Sequence, residues 1–232
     1  MTSPATRPGR VLGVITARGG SRGLPRKNVL AAGGRPLIAW TISAALASSA
    51  IDHLVLSSDD DEIIETAKAW GCAVPFKRPA ELASDTASSM DVVLHCLEQL
   101  PGYDYVVLLQ PTSPLRTTED IGAAFELLRT SGAQSCVSVC EAEQSPYWMF
   151  QMNDGGWLVD LLPHRPAVHR RQDLPPVYVV NGAIYIARTD WLRRTRSFTG
   201  KECVGYPMPR ERSIDIDDAE DFAAFRCKIE GT

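Results

Sequence analysis

Strand and helix signals alternate along about the first 140 residues, and this alternation limits the chain to few folds. Short apolar runs at Val11–Ala17, His53–Ser58 and Tyr105–Gln110 have the length and composition of buried strands. The segments between and after them predict four helices: Leu37–Ser49, Asp60–Trp70, Ser88–Leu100 and Thr117–Thr130. Strands and helices that alternate at this spacing predict an α/β fold, with a mainly parallel sheet covered by helices on both faces.

The alternation breaks between about Glu141 and Pro176, a stretch rich in Pro, Gly, Arg and aromatic residues. A structureless loop of this length is uncommon in a compact domain. We therefore expect a protruding lobe or hairpin at about 141–176, inserted into a single domain of residues 1–232, and a dimer contact through this lobe. The regular pattern continues on either side of it, with these predicted strands and final helix: Ser135–Cys140, Val177–Ala187, Cys203–Met208 and Ala219–Ile229.

The charge balance and the apolar patterning exclude several classes of protein. The chain has 24 Lys and Arg against 28 Asp and Glu, a net charge of −4, whereas domains that bind nucleic acid are usually basic. No run of 18 apolar residues predicts a spanning helix, and the N-terminal MTSPATRPGR lacks the apolar core of a secretion signal. The six cysteines form no C-x-x-C pair. We expect a cytoplasmic protein that binds neither nucleic acid nor a membrane.

The loop Ala17–Asn28 (ARGGSRGLPRKN) concentrates positive charge in this acidic chain. It carries three glycines and the four cations Arg18, Arg22, Arg26 and Lys27 directly after the first predicted strand. Ligands of α/β sheets bind at the carboxyl ends of the strands, and glycines let backbone N–H groups approach an anion. The loop therefore predicts a phosphate-binding site, although it matches neither the P-loop nor the dinucleotide-binding pattern. The alternative is a solvated surface loop.

An acidic segment precedes the last predicted helix. Within Glu211–Phe222 (ERSIDIDDAEDF), the strand-like SIDID places Asp215 and Asp217 two residues apart, on the same face of a strand. Two carboxylates on one face suit Mg²⁺, which binds carboxylate and phosphate oxygens. The alternative is that Asp217 or Asp218 caps the helix and that the other acidic residues are solvated.

Three further segments carry polar groups at positions suited to ligand binding. RPAELASDTASS, at 78–89, is rich in hydroxyl groups that suit a ribose or a base, and it equally suits a helix cap. LLQPTSPLR, at 108–116, places Gln110 at the carboxyl end of a strand, although its two prolines also suit a rigid turn. RRQDLPPVYVVNGAIY, at 170–185, begins with two arginines, which suit a carboxylate or a phosphate but are also common on protein surfaces.

These segments occur in the same order as in a known enzyme family. ARGGSRGLPRKN, RPAELASDTASS, LLQPTSPLR, RRQDLPPVYVVNGAIY and SIDIDDAEDF resemble the acylneuraminate cytidylyltransferases, the CMP-sialic acid synthetases, and the resemblance covers about 11–225. It implies a Rossmann-like nucleotidyltransferase fold, a homodimer, CTP and an acidic nine-carbon sugar as substrates, and Mg²⁺ as cofactor. In the implied reaction the anomeric hydroxyl of the sugar attacks the α-phosphate of CTP, and pyrophosphate leaves.

The resemblance also implies roles for particular residues. Arg18 and Lys27 resemble the cations that bind the triphosphate, and together with Asp217 they are the expected catalytic residues. The expected nucleotide contacts are Arg18, Ser21, Arg22, Lys27, Asn28, Arg78 and Ser89. The expected sugar contacts are Gln110 and Arg171, and the expected magnesium ligands are Asp215 and Asp217.

One departure from the family pattern leaves the sugar open. The segment Glu141–Phe150 (EAEQSPYWMF) lacks the basic residue that the sialic acid enzymes have near the position of Trp148. Legionaminic acid, pseudaminic acid or another nine-carbon 2-keto acid is therefore an alternative to sialic acid. The eight-carbon acid KDO is less favoured, because its enzymes have a different first loop. GTP in place of CTP is a further alternative, as is a non-catalytic nucleotide-binding protein, which would be expected to lack a triphosphate cation or a metal carboxylate.

Overall fold

A six-stranded sheet forms the centre of the structure, a computed structural model that describes residues 9–21, 23–84, 86–162, 170 and 173–231. The strands are β1 (Val11–Thr16), β2 (Ala31–Ala32), β3 (Arg35–Pro36), β4 (His53–Ser57), β5 (Tyr105–Leu109), β6 (Ser135–Glu141), β7 (Phe150–Met152), β8 (Leu158–Asp160), β9 (Tyr178–Arg188) and β10 (Cys203–Pro207). The helices are α1 (Leu37–Leu46), α2 (Asp61–Ala69), α3 (Ser89–Gln99), α4 (Thr118–Ser131), α5 (Thr189–Thr195) and α6 (Ala219–Glu230). Over the described ranges, no helix is both long and apolar enough to cross a membrane.

The strand order across the central sheet is β10-β6-β9-β5-β1-β4. β9 runs antiparallel to both of its neighbours, β5 and β6, and the other adjacent pairs are parallel. The prediction of an α/β fold with a mainly parallel sheet is therefore confirmed. The sequence analysis did not predict the direction of β9, because its apolar residues suit a strand of either direction.

Helices cover both faces of this sheet, as the sequence predicted. Along β1, Val11 and Ile15 pack in a core cluster that includes side chains of α1, α2 and α4. Leu12 and Val14 pack in a second cluster, with side chains of α3 and α5. Successive residues of a strand point to opposite faces, and β1 has no polar residue before Thr16 because both of its faces are buried.

Side chains cap four helices at residues that the sequence analysis placed at helix starts, namely Asp60, Ser88, Thr117 and Asp218. Asp60 accepts a hydrogen bond from the backbone N–H three residues later at 3.0 Å, and Ser88 accepts an equivalent bond at 3.1 Å. Asp218 begins α6 through a reciprocal capping box. The alternative that Asp217 or Asp218 caps α6 is therefore confirmed for Asp218, and Asp217 is not the cap.

One helix was not predicted, and one predicted strand needs correction. The sequence analysis did not predict α5, whose seven residues TDWLRRT are mostly polar and too few to show a helical period. Ser213–Asp217, predicted to be strand-like, is not part of the described strands. Its backbone is instead held by a hydrogen bond from Ile216 N to Thr112 O at 2.8 Å. Because Thr112 follows the carboxyl end of β5, this segment crosses the edge of the sheet rather than extending it.

The predicted lobe region contains a hairpin. β7 and β8 pair antiparallel, and Asn153 Oδ1 closes the turn by accepting hydrogen bonds from Gly155 N and Trp157 N, each at 3.0 Å. The hairpin exposes large apolar side chains, including Met152, Trp157 and Leu158, which are 70%, 74% and 63% exposed. An apolar hairpin with so much exposed surface differs from the polar loops that usually connect secondary structure.

Candidate active site

A cleft of about 510 Å³ opens at the carboxyl ends of β1 and β5. Four regions distant in sequence line it, namely the end of β1 with the loop after it, the segment 78–92, the residues after β5, and Asp217. The predicted site residues that line the cleft are Arg18, Ser21, Lys27, Asn28, Arg78, Ser89, Gln110 and Asp217. The sheet brings them together because the carboxyl ends of parallel strands meet at one edge. Arg22 and Arg171, also predicted contacts, lie outside the described residues.

The loop Ala17–Asn28 is anchored at its base by polar contacts. Asn28 is buried, and its Nδ2 donates to Arg18 O at 3.3 Å, which joins the two ends of the loop. Gly19 N donates to Asp59 Oδ1 at 3.2 Å. These contacts tie the loop to itself and to the carboxyl end of β4, so the alternative of a solvated surface loop does not describe its base.

The side chain of Arg26 does not line the cleft, unlike those of Arg18 and Lys27, the other described cations of the loop. Its backbone is left-handed, with φ 59°, which is uncommon for a residue other than glycine. Its guanidinium donates to Asp60 Oδ2 at 2.6 Å and also pairs with Glu62. Arg26 is therefore bound to the start of α2 and is not among the residues that line the cleft. The hydrogen bond from Arg26 is the main cause that lowers the pKa of Asp60 below its ordinary value.

Replacing Asp60 by asparagine should flatten the acid side of the stability profile. Because the pKa of Asp60 is lowered in the folded state, the charged carboxylate stabilises the fold above its ordinary pKa. That contribution is lost as the pH falls through the lowered value. Asparagine still caps α2, so Asp60→Asn removes the charge and keeps the cap. Denaturant unfolding from about pH 6 to about pH 2.5 should show a steeper loss of stability in the wild type.

The control for this measurement is Asp61→Asn. Asp61 pairs with Lys77 at 2.6 Å, but its side chain is 82% exposed, so water screens the pair. This control should follow the wild-type profile. Parallel profiles for wild type and Asp60→Asn would contradict the assigned role of the Arg26–Asp60 pair.

Lys27 connects the loop to the acidic segment, 190 residues further along the chain. Its ammonium donates to Ile216 O at 2.8 Å and pairs with Asp217 Oδ1 at 3.3 Å. The Lys27 side chain is 14% exposed, whereas the Asp217 side chain is 80% exposed. The ammonium is thus held in place beside the cleft, while water and a ligand can reach the carboxylate.

Gly23 allows the same two segments to approach closely. A Cβ built on Gly23 would come within 3.0 Å of the carbonyl oxygen of Asp217, closer than real Cβ atoms come to other atoms. A Cβ on Gly20, in the same loop, would meet nothing within 4 Å. Neither glycine has a positive φ, so the requirement at Gly23 is one of space and not of backbone conformation.

Two arginines meet on the wall formed by the segment 78–92. Arg78 is buried and donates from Nε to Ser57 Oγ at 3.1 Å and from Nη2 to Ser57 O at 2.5 Å. Burial lowers the pKa of Arg78, and the charge of Asp59 partly opposes this. Arg18 reaches the same wall and donates from Nη1 to Ser84 O at 2.9 Å. The positive charge of this wall suits an anionic ligand.

The start of α3 opens on the cleft. Ser88 caps the helix, as the structural alternative for the segment 78–89 predicted, and Ser89 is the first helical residue and lines the cleft. The cap is therefore confirmed, and the contact of this segment with a ribose or a base stays a prediction that the position of Ser89 allows. The N-terminus of a helix carries partial positive charge, which adds to that of the two arginines.

Gln110 and Asp215 both lie beside Gly182, at one corner of the site, although Asp215 is not among the residues that line the cleft. A Cβ on Gly182 would lie 2.8 Å from Gln110 Oε1 and 3.5 Å from Asp215 Oδ2, so both groups surround this glycine. The Asp215 side chain is accessible to solvent, but the corner removes part of its hydration. This desolvation is the main cause that raises the pKa of Asp215, and the charge of Asp217 raises it further, whereas a hydrogen bond with Thr112 lowers it.

Asp215 and Asp217 provide a donor set that fits Mg²⁺. In the described part of the chain, no group of three or more His, Cys, Asp or Glu side chains is arranged to hold a metal ion. Mg²⁺ does not require such a cage, because it usually keeps several waters and binds one or two carboxylates together with phosphate oxygens of the substrate. The charge of Asp217 contributes to the raised pKa of Asp215, and a cation close to both carboxylates would relieve that repulsion.

Thr112 is a site residue that the sequence analysis missed. It lines the cleft, its side chain bonds to Asp215, and its carbonyl accepts the hydrogen bond from Ile216 N. The sequence carried a weak signal for it, because Thr112 is the first hydroxyl residue after Gln110 at the end of an apolar strand. The link from Thr112 to the acidic segment, however, spans about a hundred residues and depends on the fold.

Comparisons with known proteins agree with this architecture. Residues 12–189 match the family described as Cytidylyltransferase. An N-acylneuraminate cytidylyltransferase of Streptococcus agalactiae serotype V is 36% identical over 211 residues, which cover 90% of this chain and 51% of that protein. The chain thus spans about half the length of that relative. A CMP-N,N'-diacetyllegionaminic acid synthase of Legionella pneumophila is 37% identical over 225 residues, which cover 92% of this chain and 94% of that protein.

A solved structure extends the comparison to the fold. The structure of CMP:2-keto-3-deoxy-manno-octonic acid synthetase complexed with CTP superposes with a TM-score of 0.73 at 16% identity, over 96% of this chain and 99% of that one. The two chains therefore share the Rossmann-like nucleotidyltransferase fold that the five sequence segments implied. The family match and the relatives together show that the chain belongs to the cytidylyltransferase family.

Proposed function

We propose that the protein transfers a cytidylyl group from CTP to the anomeric hydroxyl of a sialic acid-like nine-carbon 2-keto sugar acid. The oxygen of that hydroxyl bonds to the α-phosphorus and loses its proton, the bond from the α-phosphorus to the bridging oxygen breaks, and pyrophosphate leaves. The observation that carries the proposal is the cleft itself, in which Arg18, Lys27 and Asp217 converge beside Gln110. The relatives named as N-acylneuraminate cytidylyltransferase and CMP-N,N'-diacetyllegionaminic acid synthase support the substrate class.

Charge explains why the proposed reaction needs these residues. CTP and the sugar carboxylate together bring about five negative charges into the cleft, so catalysis depends on positioned cations. The ammonium of Lys27 is already held by Ile216 O at 2.8 Å, and it would stabilise charge that develops at the α-phosphate. Arg18 would bind the triphosphate, with Ser21 and Asn28 beside it in the same loop. Arg78 and Ser89, in the segment 78–92, would contact the nucleoside.

The sugar would lie on the side of Gln110 and Asp215. Gln110 is at the carboxyl end of β5 and presents its side chain amide beside Gly182. This amide can donate to and accept from sugar hydroxyl groups. The proposed partner of the sugar carboxylate, Arg171, lies outside the described residues, and its role remains the one that the family resemblance implies.

Mg²⁺ is the proposed cofactor, held by Asp215 and Asp217. When bound, it would neutralise phosphate charge and help to orient the triphosphate. Asp217 also pairs with Lys27 at 3.3 Å, and this pair keeps the carboxylate and the ammonium close to each other before substrate binds.

Replacing Asp217 by asparagine should raise the Mg²⁺ concentration that gives half-maximal activity by about 10-fold or more, since the loss of a carboxylate weakens a metal site by this order. Glu220→Gln is the matched control, because Glu220 lies in the first turn of α6 and is exposed. A Mg²⁺ titration of pyrophosphate release compares the two variants with the wild type. A titration midpoint in Asp217→Asn that equals that of Glu220→Gln would exclude Asp217 as a ligand.

The experiment that tests the function is pyrophosphate release in a substrate grid. CTP and GTP are each combined with sialic, legionaminic, pseudaminic and KDO acids in the presence of Mg²⁺. Turnover with CTP and one nine-carbon acid is the expected result and names the sugar. Turnover with GTP alone, or with KDO alone, would replace the proposal by one of its alternatives. Bound CTP without turnover for any sugar would support a non-catalytic nucleotide-binding protein.

We also propose that the protein is a homodimer that associates through the lobe. The β7–β8 hairpin exposes Met152, Trp157 and Leu158, and the beginning of β9 exposes a further apolar group: Tyr178, Val179 and Val180. Exposed apolar surface of this extent is typical of protein–protein contacts. A cytoplasmic location and the expectation of neither nucleic-acid nor membrane partners remain predictions.

The variant Leu158→Asp should shift the protein from dimer to monomer. A carboxylate at the centre of an apolar contact loses hydration without gaining a partner. Leu46→Asp is the control, because Leu46 is also exposed, at 49%, but lies at the end of α1. Size-exclusion chromatography with light scattering at micromolar concentration distinguishes the outcomes. A monomeric wild type, or equal masses for the two variants, would contradict the proposed contact.

A further inference from the structure

Arg116 is a buried arginine that the proposed function leaves without a role. It ends the turn that follows β5, immediately before α4, and is 2% exposed. Its Nε donates to Ala183 O at 2.8 Å and its Nη1 donates to Thr41 Oγ1 at 2.5 Å. Its Nη2 donates to Gln110 O. One side chain thus connects the end of β5, the middle of β9 and α1.

The three acceptors of Arg116 are neutral. Two are backbone carbonyl oxygens and the third is a hydroxyl. Burial lowers the pKa of Arg116 to about 9, while the nearby charges of Asp120 and Asp215 raise it. The group therefore remains a cation at neutral pH. An apolar side chain would fill this space without the cost of burying a charge, so the particular contribution of arginine is its planar fork of donors.

The two carbonyl groups that Arg116 binds flank the sugar side of the site. One belongs to Gln110 itself. The other belongs to Ala183, directly after Gly182, and a Cβ on Gly182 would lie only 2.8 Å from Gln110 Oε1 and 3.5 Å from Asp215 Oδ2. Arg116 thus determines where both sides of this corner lie, with Gln110 on one side and the backbone of Gly182 on the other.

The same turn also supports the acidic segment. Thr112, between Gln110 and Arg116, accepts the hydrogen bond from Ile216 N at 2.8 Å and bonds to Asp215 through its side chain. Movement of the turn 110–116 would therefore displace Gln110 and Asp215 together. By contrast, neither Lys27 nor Arg78, on the nucleotide side, bonds to Arg116. Arg78 is held by Ser57, and Lys27 is linked to this turn indirectly, through Ile216.

We infer that Arg116 is a positioning residue for the sugar acid: its guanidinium holds Gln110 and the Gly182 backbone at the separation that the sugar requires, without contacting the sugar. This inference rests on the proposed function, because it assumes that the Gln110 side of the cleft receives the acceptor sugar. It predicts that loss of the guanidinium affects sugar binding much more than CTP binding.

The test compares Arg116→Met, Arg116→Lys and the control Leu192→Ala. Methionine fills similar space without donors, and lysine keeps the charge but cannot reach three separated acceptors. Leu192 is fully buried in α5, and α5 begins beside Asp104, because Thr189 N donates to Asp104 O at 2.8 Å. Asp104 precedes β5, so Leu192 lies at the edge of the sheet opposite to the cleft. Leu192→Ala therefore reports a general loss of stability.

Two readouts are measured for each variant. Kinetics of pyrophosphate release give KM for the sugar acid, and calorimetric titration with CTP in the absence of sugar gives the Kd for the nucleotide. Arg116→Met should raise the sugar KM by about 10-fold or more and leave the Kd for CTP within about 3-fold. The sugar KM of Arg116→Lys should lie between the values for Arg116→Met and the wild type. Leu192→Ala should change neither value beyond about 3-fold at a temperature where it is folded.

Hydrogen exchange provides a second measurement that needs no activity. Peptides covering 110–116, 181–186 and 213–217 should exchange faster in Arg116→Met than in Leu192→Ala. If the wild type releases no pyrophosphate with any sugar, the proposed function fails, and exchange alone decides the positioning role. Equal exchange of these peptides in Arg116→Met and Leu192→Ala would overturn the inference. If the enzyme is active, the inference would also be overturned by a Kd for CTP that rises in Arg116→Met as much as the sugar KM does.

Discussion

Replacing Lys27 by alanine is expected to lower the rate of pyrophosphate release by at least about 10²- to 10³-fold, the order that follows the loss of one positioned group that stabilises charge in a transition state. The fold holds the ammonium of Lys27 at 3.3 Å from Asp217 Oδ1, and Ile216 O orients it at 2.8 Å. An ammonium already in place needs little reorganisation when charge develops on the phosphate.

The same geometry predicts that Lys27→Ala remains folded. The partner carboxylate, Asp217, is 80% exposed, so water solvates it when the ammonium is removed. The loss of the bond to Ile216 O should cost about 1 kcal/mol, which lowers the melting temperature by about 2–4 °C in a domain of this size. Circular dichroism and thermal unfolding separate this small effect from the loss of turnover.

Two further variants complete the Lys27 experiment. Lys77→Ala removes an exposed lysine that pairs with Asp61 at 2.6 Å and does not line the cleft, and its turnover should equal that of the wild type. Lys27→Arg retains a positive charge with a different shape, so its rate of pyrophosphate release should lie between those of Lys27→Ala and the wild type. If Lys27→Ala retained turnover within about 10-fold of the wild type, the assignment of Lys27 to transition-state stabilisation would be wrong.

The second large effect is expected from Gly23→Ala. Because a Cβ on Gly23 would come within 3.0 Å of the carbonyl oxygen of Asp217, the loop and the acidic segment must separate to accommodate it. That separation displaces Lys27 relative to Asp217, and a displacement of about 1 Å can lower the catalytic rate by about 10²-fold. We expect kcat/KM to fall by about this factor.

Gly20→Ala is the matched control for this experiment. Gly20 belongs to the same loop and has no positive φ, and a Cβ added to it would have no neighbouring atom within 4 Å. Both variants reduce the conformational entropy of the unfolded chain in the same way, so they differ only in the contact with Asp217. We expect Gly20→Ala to stay within about 3-fold of the wild type. Equal kinetics for the two variants would show that the approach of Gly23 to Asp217 has no catalytic consequence.

Much of the fold follows from local sequence. The apolar runs at β1, β4 and β5 predicted buried strands because strands covered on both faces have no polar side. Asp60, Ser88 and Asp218 marked helix starts, since a side chain that accepts a backbone hydrogen bond acts within three or four residues. The segment TDWLRRT of α5 was missed, because a helix of two turns is too short to show its period.

The candidate site was predictable in part. Glycines and cations after the first strand indicated an anion site, and the family resemblance extended this to particular residues, of which Lys27, Asn28 and Gln110 line one cleft. Composition could not distinguish Lys27 from its neighbour Arg26, because both are cations of the same loop. The left-handed backbone of Arg26, with φ 59°, turns its side chain to Asp60 and away from the cleft.

The sequence by itself determined the alternation of strands and helices, the helix caps and the types of residue available for a phosphate and a metal ion, because these depend on neighbours within a few positions. The tertiary structure alone decided the direction of β9, the approach of Gly23 to Asp217, and the contact of Lys27 with a carboxylate 190 residues away. It also decided that Arg116 binds Gln110 and Ala183 together. Such contacts depend on the order in which the sheet assembles its strands, and no local pattern of residues carries that order.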